Sequence, residues 1–282
     1  MAASHSLTAQ LGLPADEIRI VDVGANPLAG PPPYQHLLDA TLARVVGFEP
    51  NPEALAQLTA RAGSQETYLP YAVGDGGTHT LRLCRMSGMS SLLEPNFPLL
   101  NLLHYHGPWA EIVERVEIET RRLDDIAEIG RMDYLKIDIQ GGELSVFEHA
   151  VERLKDTVVV HTEAMFVPMY VGQPLFSEQE LFLRGLGFMT HKFEPLTGHV
   201  LKPFAIQGDA HAPLSQIFWA DVIFIRDITR LDRLAPPQLL KLAVILHDLY
   251  RSYDVAHLVL QAYDTQAGTG FAPRYLADLL GP

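Results

Sequence analysis

Apolar positions along this chain follow two rhythms. Short runs dominated by apolar and β-branched residues recur at 18–23 (IRIVDV), 44–48 (RVVGF), 67–73, 132–139 (MDYLKIDI) and 157–161 (TVVVH). Runs of this length without a consistently polar side predict strands buried on both faces. Between them, at 34–42, 52–61, 142–154 and 177–186, apolar residues fall three and four apart, the spacing of an amphipathic helix. Asn51 followed by Pro52 predicts a helix start with a capping side chain and proline at the first helical position. Ser177 with Glu180 three residues on predicts a capping box. The runs 78–84 and 113–121 alternate apolar with polar residues, which predicts exposed or edge strands, and 187–193 with 217–225 predict a final antiparallel pair.

Strands alternating with helices predict an α/β domain with a doubly wound, mostly parallel sheet over residues 1–228. The remainder, 229–282, reads as a C-terminal helical hairpin. Pro236 and Pro237 open one helix, with Leu239, Leu242, Ala243, Leu246 and Leu249 on one face, and Asp254 caps a second. That stripe packs on the chain's own core in the plainest reading; a homodimer seam or a partner surface is the alternative. The stretch 86–108, rich in Ser, Pro, Asn and His, predicts a long loop of the kind that carries function.

Composition narrows the classes. The 282 residues are 48% hydrophobic and 20% charged, ordinary for a globular protein, with a formal net charge of −13 that disfavours nucleic acid and anionic membranes as partners. The single cysteine, Cys84, excludes an intrachain disulfide. No run approaches the roughly 20 apolar residues that span a bilayer, and the first residues lack the basic start of a signal peptide, so the expected location is cytoplasmic. His104, His106 and Glu111 have a spacing that suits a metal on a strand, but they fall in a loop-like segment beside Pro108 and read as surface residues; no metal site is assigned.

Three features point to chemistry. The first strand runs into Asp22-Val23-Gly24-Ala25-Asn26, a glycine turn at the carboxyl end of a strand, where open α/β sheets bind ligands. Glu49 ends the next strand, 25 positions after Gly24, where a carboxylate accepts hydrogen bonds from both hydroxyls of a ribose. The turn lacks the G-x-G-x-x-G spacing, and Pro31, Pro32 and Pro33 withhold the N–H groups a pyrophosphate needs, which disfavours a dinucleotide. Lys136 and Asp138 sit two apart in a buried strand, either as a structural ion pair or as functional groups. Three readings stay open on these residues: an adenosine-cofactor enzyme, a nucleotide-sugar-modifying enzyme that uses the Gly-Phe-Glu-Pro-Asn-Pro turn, and a non-catalytic module that docks a partner through its tail.

The chain resembles the FkbM-type S-adenosylmethionine-dependent methyltransferases. The matching pieces are VDVGAN at 21–26, GFEPNP at 47–52, AVGDGG at 72–77, GMSSL at 88–92, TRRLDDI at 120–126, LKIDIQGGE at 135–143, HTEAMF at 161–166 and GLGF at 185–188, in that order. The resemblance implies a Rossmann-like, seven-stranded fold, the cofactor S-adenosyl-L-methionine, and methyl transfer to a hydroxyl of a sugar or natural-product acceptor. It implies that Asp22, Gly24, Ala25 and Asn26 line the methionine part of the cofactor, that Glu49 with Pro50 holds the ribose, and that Asp75 faces the adenine. Ser90, Ser91, Asp138 and Glu143 border the reaction centre. Asp138 is the expected base or acceptor-orienting group, with Glu163 or His161 as the alternative, His161 being more simply a satisfied core histidine. Gln140 stands where relatives commonly carry Glu; an amide orients by hydrogen bonding but cannot act as a base. Residues 27–29 and the prolines after them reshape the usual glycine turn.

Overall fold

The computed structural model describes residues 6–11, 18–27 and 30–280. Leu28 and Ala29, part of the reshaped first loop, lie outside them.

Among the described residues, ten strands form two sheets. They are β1 (Ile18–Val23), β2 (Ala43–Phe48), β3 (Glu66–Leu69), β4 (Ala72–Val73), β5 (Thr78–Cys84), β6 (Ile112–Arg121), β7 (Tyr134–Ile137), β8 (Val159–Met165), β9 (Phe188–Gly198) and β10 (Ile217–Arg226). The main sheet has seven strands in the order β3-β2-β1-β7-β8-β10-β9. Pairs from β3 through β8 are parallel, whereas β10 runs antiparallel to both neighbours. The order reverses beside β1, and that switch point opens the crevice in which such sheets bind ligands. This is the expected Rossmann-like, doubly wound, mostly parallel sheet. A smaller sheet, β4-β6-β5, interrupts it between β3 and β7.

Both faces of the main sheet are covered, which is why its central strands read as apolar runs. Val21, Val23, Leu135, Ile137 and Val160 pack on one side with α6 (Glu143–Glu148), α7 (Val151–Asp156) and α8 (Phe176–Gly185). Ile18, Ile20, Val45, Tyr134 and Val159 pack on the other with α9 (Pro236–Asp248), α10 (Tyr253–Ala267) and α11 (Phe271–Leu280). The expected hairpin is α9 with α10, and a third helix follows it. Leu239, Leu242, Ala243 and Leu246 are fully buried against the sheet, so the tail's apolar stripe closes the chain's own core. Short helices α1 (Leu7–Leu11), α2 (Gln35–Asp39), α3 (Pro52–Arg61), α4 (Phe97–Leu100) and α5 (His106–Trp109) complete the fold. Asp248 of α9 holds α1 by accepting from Ser6 Oγ at 2.6 Å and from the Leu7 N–H at 2.9 Å.

Several boundaries differ from the sequence expectation. Pro70 has no N–H to donate, and the expected strand 67–73 is two strands in two sheets. The helix expected over 142–154 is two, divided at His149 and Ala150. The cap of helix α8 lies two residues earlier than expected, at Leu175, whose N–H is accepted by Glu178 at 2.9 Å, so Ser177 lies inside the helix and Glu180 pairs with Arg184 instead. His106 is buried rather than exposed, packed on the rings of Trp109, His199 and Trp219. Ser252, not Asp254, precedes α10.

One buried ion pair ties the tail to the strand that carries the site. Lys241 of α9 donates to both carboxylate oxygens of Asp133 at 3.1 Å; the two side chains are 3% and 2% exposed. Asp133 also accepts from the backbone N–H of Arg19 at 2.8 Å, so the residue entering β7 is anchored to β1 and to α9 together. Removing one member of such a pair strands a buried charge and costs about 3–5 kcal/mol. Lys241→Ala is expected to lower the thermal midpoint by about 10 °C, read by calorimetry or circular dichroism.

Candidate functional site at the carboxyl ends of the strands

The strands β1, β2, β7 and β8 all end on one rim, and the expected residues cluster there. Asp22 and Lys136 are register partners on β1 and β7. Asp22 is 4% exposed; its Oδ2 accepts from the Tyr34 hydroxyl at 2.6 Å, and its Oδ1 stands 3.5 Å from Lys136 Nζ. The ion pair of Lys136 is therefore with Asp22 on the adjacent strand rather than with Asp138 two residues along its own. Burial pulls the Lys136 ammonium toward neutrality, but the charges of Asp22 and Asp138 outweigh it and hold the group charged. Lys136 also reaches the Gly24 carbonyl at 3.5 Å, which ties the first loop to β7.

Gly24 has φ +82°, and a Cβ there would overlap the carbonyl oxygen of Asp138. Only glycine permits both the left-handed turn and that crossing. Ala25 and Asn26 follow, the first buried and the second half-buried, with the N–H groups of Gly24 and Ala25 both directed at the Phe48 carbonyl at 3.1 Å. Glu49, at the end of β2, is 9% exposed. One oxygen, Oε1, accepts the Asn51 N–H at 2.7 Å; burial raises the carboxyl above its ordinary range, the Asn51 bond opposes this, and the Asp22 charge adds to it. A buried carboxylate with its second oxygen left for further donors suits the two hydroxyls of a ribose, and with the Gly24 turn beside it the rim fits an adenosyl cofactor. Pro50 turns the chain away, and Asn51 caps α3 by accepting from the N–H groups of Glu53 and Ala54 at 2.9 and 3.1 Å.

Asp138 and Glu163, on neighbouring strand ends, are brought together by Gln140, whose Nε2 donates to Asp138 Oδ1 at 2.8 Å and to Glu163 Oε2 at 2.9 Å. Burial drives the Glu163 carboxyl well above its ordinary range, reinforced by the charges of Asp138, Glu143 and Asp221. His161 does not join them. It lies two residues further back along β8, 6% exposed, with Nδ1 3.1 Å from the hydroxyls of both Tyr134 and Tyr250 and Nε2 3.5 Å from Asp221 Oδ2. It is held as a core histidine.

The loop at 86–95 packs directly on this group. Ser91 Oγ donates to the Gln140 carbonyl at 2.7 Å and accepts the Leu93 N–H at 3.0 Å. Ser90 Oγ accepts the Cys84 N–H at 3.1 Å, which secures the loop to β5. Asp75 sits in the turn of the small sheet: its Oδ1 accepts from the Gly77 N–H and the His79 ring at 2.8 Å and from the Thr120 hydroxyl at 3.2 Å, and these bonds, His79 first, hold its carboxyl down at about 2. Among the described residues, no group of three or more His, Cys, Asp or Glu is placed to hold a metal ion.

Two contributors escaped the sequence reading. Tyr34 reads only as the first apolar position of the helix predicted over 34–42, and Tyr170 only as one aromatic in a Pro-containing stretch.

Glu143 opens α6 and is 2% exposed; it accepts the N–H groups of Ile139 at 2.9 Å and Gly141 at 3.1 Å. Burial lifts its carboxyl from 4.5 to about 7 against those bonds. A raised folded value means that the native state holds the proton longer than the unfolded chain. The stability Glu143 contributes is thus complete below about 4.5 and lost as pH rises through about 7. Glu143→Gln is expected to remove a decline of roughly 3 kcal/mol over that window, visible as a flatter plot of thermal midpoint against pH.

Solved structures that resemble the chain include three at low identity. Magnesium protoporphyrin IX methyltransferase from Synechocystis PCC 6803, with bound SAM, is 11% identical over 78% of this chain and 74% of that one, with a TM-score of 0.39. A putative methyltransferase from Thermoplasma acidophilum is 9% identical over 76% and 70%, with a TM-score of 0.38. A protein of the NADB-Rossmann superfamily from Streptococcus agalactiae is 12% identical over 94% and 98%, with a TM-score of 0.38. No curated protein matches the chain. Residues 22–189 match the methyltransferase FkbM domain, a span that runs from Asp22 through Glu49, Asp138 and Glu163 to the start of β9. The chain belongs to the FkbM methyltransferase family, whose cofactor is S-adenosyl-L-methionine.

Proposed function

We propose that this S-adenosylmethionine-dependent methyltransferase methylates a hydroxyl oxygen of a small-molecule or glycan acceptor, with Asp138 as the group that takes the hydroxyl proton. The observation that carries the reading is the carboxylate pair at the ends of β7 and β8, bridged by one amide and adjoining the Gly24 turn. Bound S-adenosylmethionine supplies a methyl group on a sulfonium, which an oxygen nucleophile displaces in line.

On this reading Gly24, Ala25, Asn26 and Glu49 would hold the cofactor, and the crossing at Gly24 sets that loop against the strand end that carries Asp138. Asp138 orients the acceptor hydroxyl and receives its proton as the oxygen–carbon bond forms and the carbon–sulfur bond breaks, leaving a neutral thioether. A base within hydrogen-bond reach contributes about 10²–10⁴-fold, and alignment supplies much of the remainder. One observation favours Asp138 over Glu163 as the proton acceptor: burial, reinforced by neighbouring carboxylate charges, keeps Glu163 protonated to a higher pH. Residues 86–108 and 166–176 supply aromatic, Met and Pro side chains of a kind suited to a sugar face or a natural-product scaffold. The net charge of −13 argues against a nucleic-acid acceptor.

The test is radiolabelled methyl transfer to a panel of hydroxylated acceptors. Asp138→Asn is expected to lose at least about a hundredfold in turnover while keeping its thermal midpoint and its affinity for S-adenosylhomocysteine. Near-normal turnover by that variant on an accepted hydroxyl would remove Asp138 from the role.

A further inference from the structure

The amide that bridges Asp138 and Glu163 is held by a residue that touches neither carboxylate. Gln140 has φ +57°, a left-handed backbone that non-glycine residues rarely adopt, immediately before Gly141 at φ +106°. Such backbone persists only where the surroundings enforce it, and it gathers at working sites. Here the enforcing contacts are identifiable. Ser91 Oγ donates to the Gln140 carbonyl at 2.7 Å. The Tyr170 hydroxyl stands 2.9 Å from Gln140 Oε1 and 3.1 Å from the Met89 carbonyl. Tyr170 is fully buried, and its backbone N–H is accepted by Gln173 Oε1 at 3.2 Å, so the ring has little freedom to move.

The chemistry of these partners decides which way the amide points. The single phenol hydrogen of Tyr170 is shared between Gln140 Oε1 at 2.9 Å and the Met89 carbonyl at 3.1 Å, and the shorter contact makes Gln140 Oε1 its acceptor. The two amide hydrogens are then committed to the opposite side, where Asp138 Oδ1 and Glu163 Oε2 receive them. A flipped amide would set its oxygen against two carboxylates. That arrangement is tolerable only if one of them carries a proton.

We propose that Tyr170 is a positioning residue of the reaction site: its phenol locks the side-chain amide of Gln140 with both N–H bonds toward Asp138 and Glu163. The lock favours the ionised form of the pair and fixes the direction in which Asp138 presents its free oxygen. The inference rests on the proposed reading of Asp138 as the proton acceptor, but it makes a claim about titration that is measured without any acceptor. Hydrogen bonds to a carboxylate favour its charged form, so weakening them raises the pH at which it takes a proton.

The experiment is a carbon-13 NMR titration of the full chain with carboxyl-labelled Asp and Glu, saturated with S-adenosylhomocysteine. Difference spectra against Asp138→Asn and Glu163→Gln assign the two signals. Tyr170→Phe, which keeps the ring and removes only the hydroxyl, is expected to move the pair's titration upward by about one pH unit. Gln140→Leu is expected to move it by about one to two, the tenfold-to-hundredfold that charge-assisted hydrogen bonds command. Thermal midpoints of the variants identify any that fail to fold, and Gln140→Met then replaces Gln140→Leu. If Tyr170→Phe titrates as the wild type while the Gln140 variant is displaced, the amide is held without Tyr170 and the proposal is overturned. If neither moves, the amide does not govern the pair and the proposal is equally overturned. Loss of methyl transfer in Asp138→Asn is decided separately, so a failed base assignment leaves a distinct signature.

Discussion

The carboxyl ends of β1 and β7 approach so closely that residue 24 has no room for a side chain: a Cβ there would overlap the carbonyl of Asp138. From this crossing the rest of the site follows. A left-handed turn at Gly24 sends the chain sharply out of β1, and the same contact sets the loop at Gly24–Asn26 against the strand end that carries Asp138. Lys136 spans the crossing by pairing with Asp22 and reaching the Gly24 carbonyl. Positioning is the principal contribution a protein makes to an in-line displacement, and here it is built into backbone contact rather than into flexible side chains.

Around the crossing the fold concentrates groups that apolar burial disfavours. Asp22, Glu49 and Glu143 are each at most 9% exposed, and Glu163 adjoins them. A buried charge is tolerated only when it is paired or fully hydrogen-bonded. Each of these groups has such a partner within the chain: Lys136 and Tyr34 for Asp22, the Asn51 N–H for Glu49, two backbone N–H groups for Glu143, and the Gln140 amide for Glu163. The tail helices make the arrangement affordable by sealing the opposite end of the same face with leucines and by clamping Asp133, at the entry to β7, through Lys241. Strand β7 is thus tied at its start to structure and at its end to chemistry.

Much of this was legible in the sequence, for physical reasons that differ by element. The runs at 18–23, 44–48 and 157–161 announced central strands because both faces are buried, and Asn51-Pro52 announced α3 because capping is local. Gly24, Glu49 and Asp138 stood out because they close strands at the carboxyl-end rim where open α/β sheets bind ligands. What failed was long-range or competitive. Pro70 divided a strand that pattern alone joined, and Glu178 reaching Leu175 outcompeted Ser177 as the start of α8. The partner of Lys136 depends on which strand lies alongside β7, which spacing within one strand cannot show. The contact between Tyr170 and Gln140 joins loops 30 residues apart through a tyrosine that sequence presents only as an aromatic in a Pro-containing stretch. Asp75 is held by the Gly77 N–H, the His79 ring and the Thr120 hydroxyl, and Ser90 by the Cys84 N–H.

Calorimetric titration of S-adenosylhomocysteine tests whether the rim between Gly24 and Glu49 holds the cofactor. The wild type is expected to bind in the micromolar range, roughly −8 kcal/mol, and Glu49→Ala to bind at least about tenfold more weakly with its fold intact. Equal affinity in the two proteins, or no binding to the folded wild type, would contradict the placement of the cofactor on these strands.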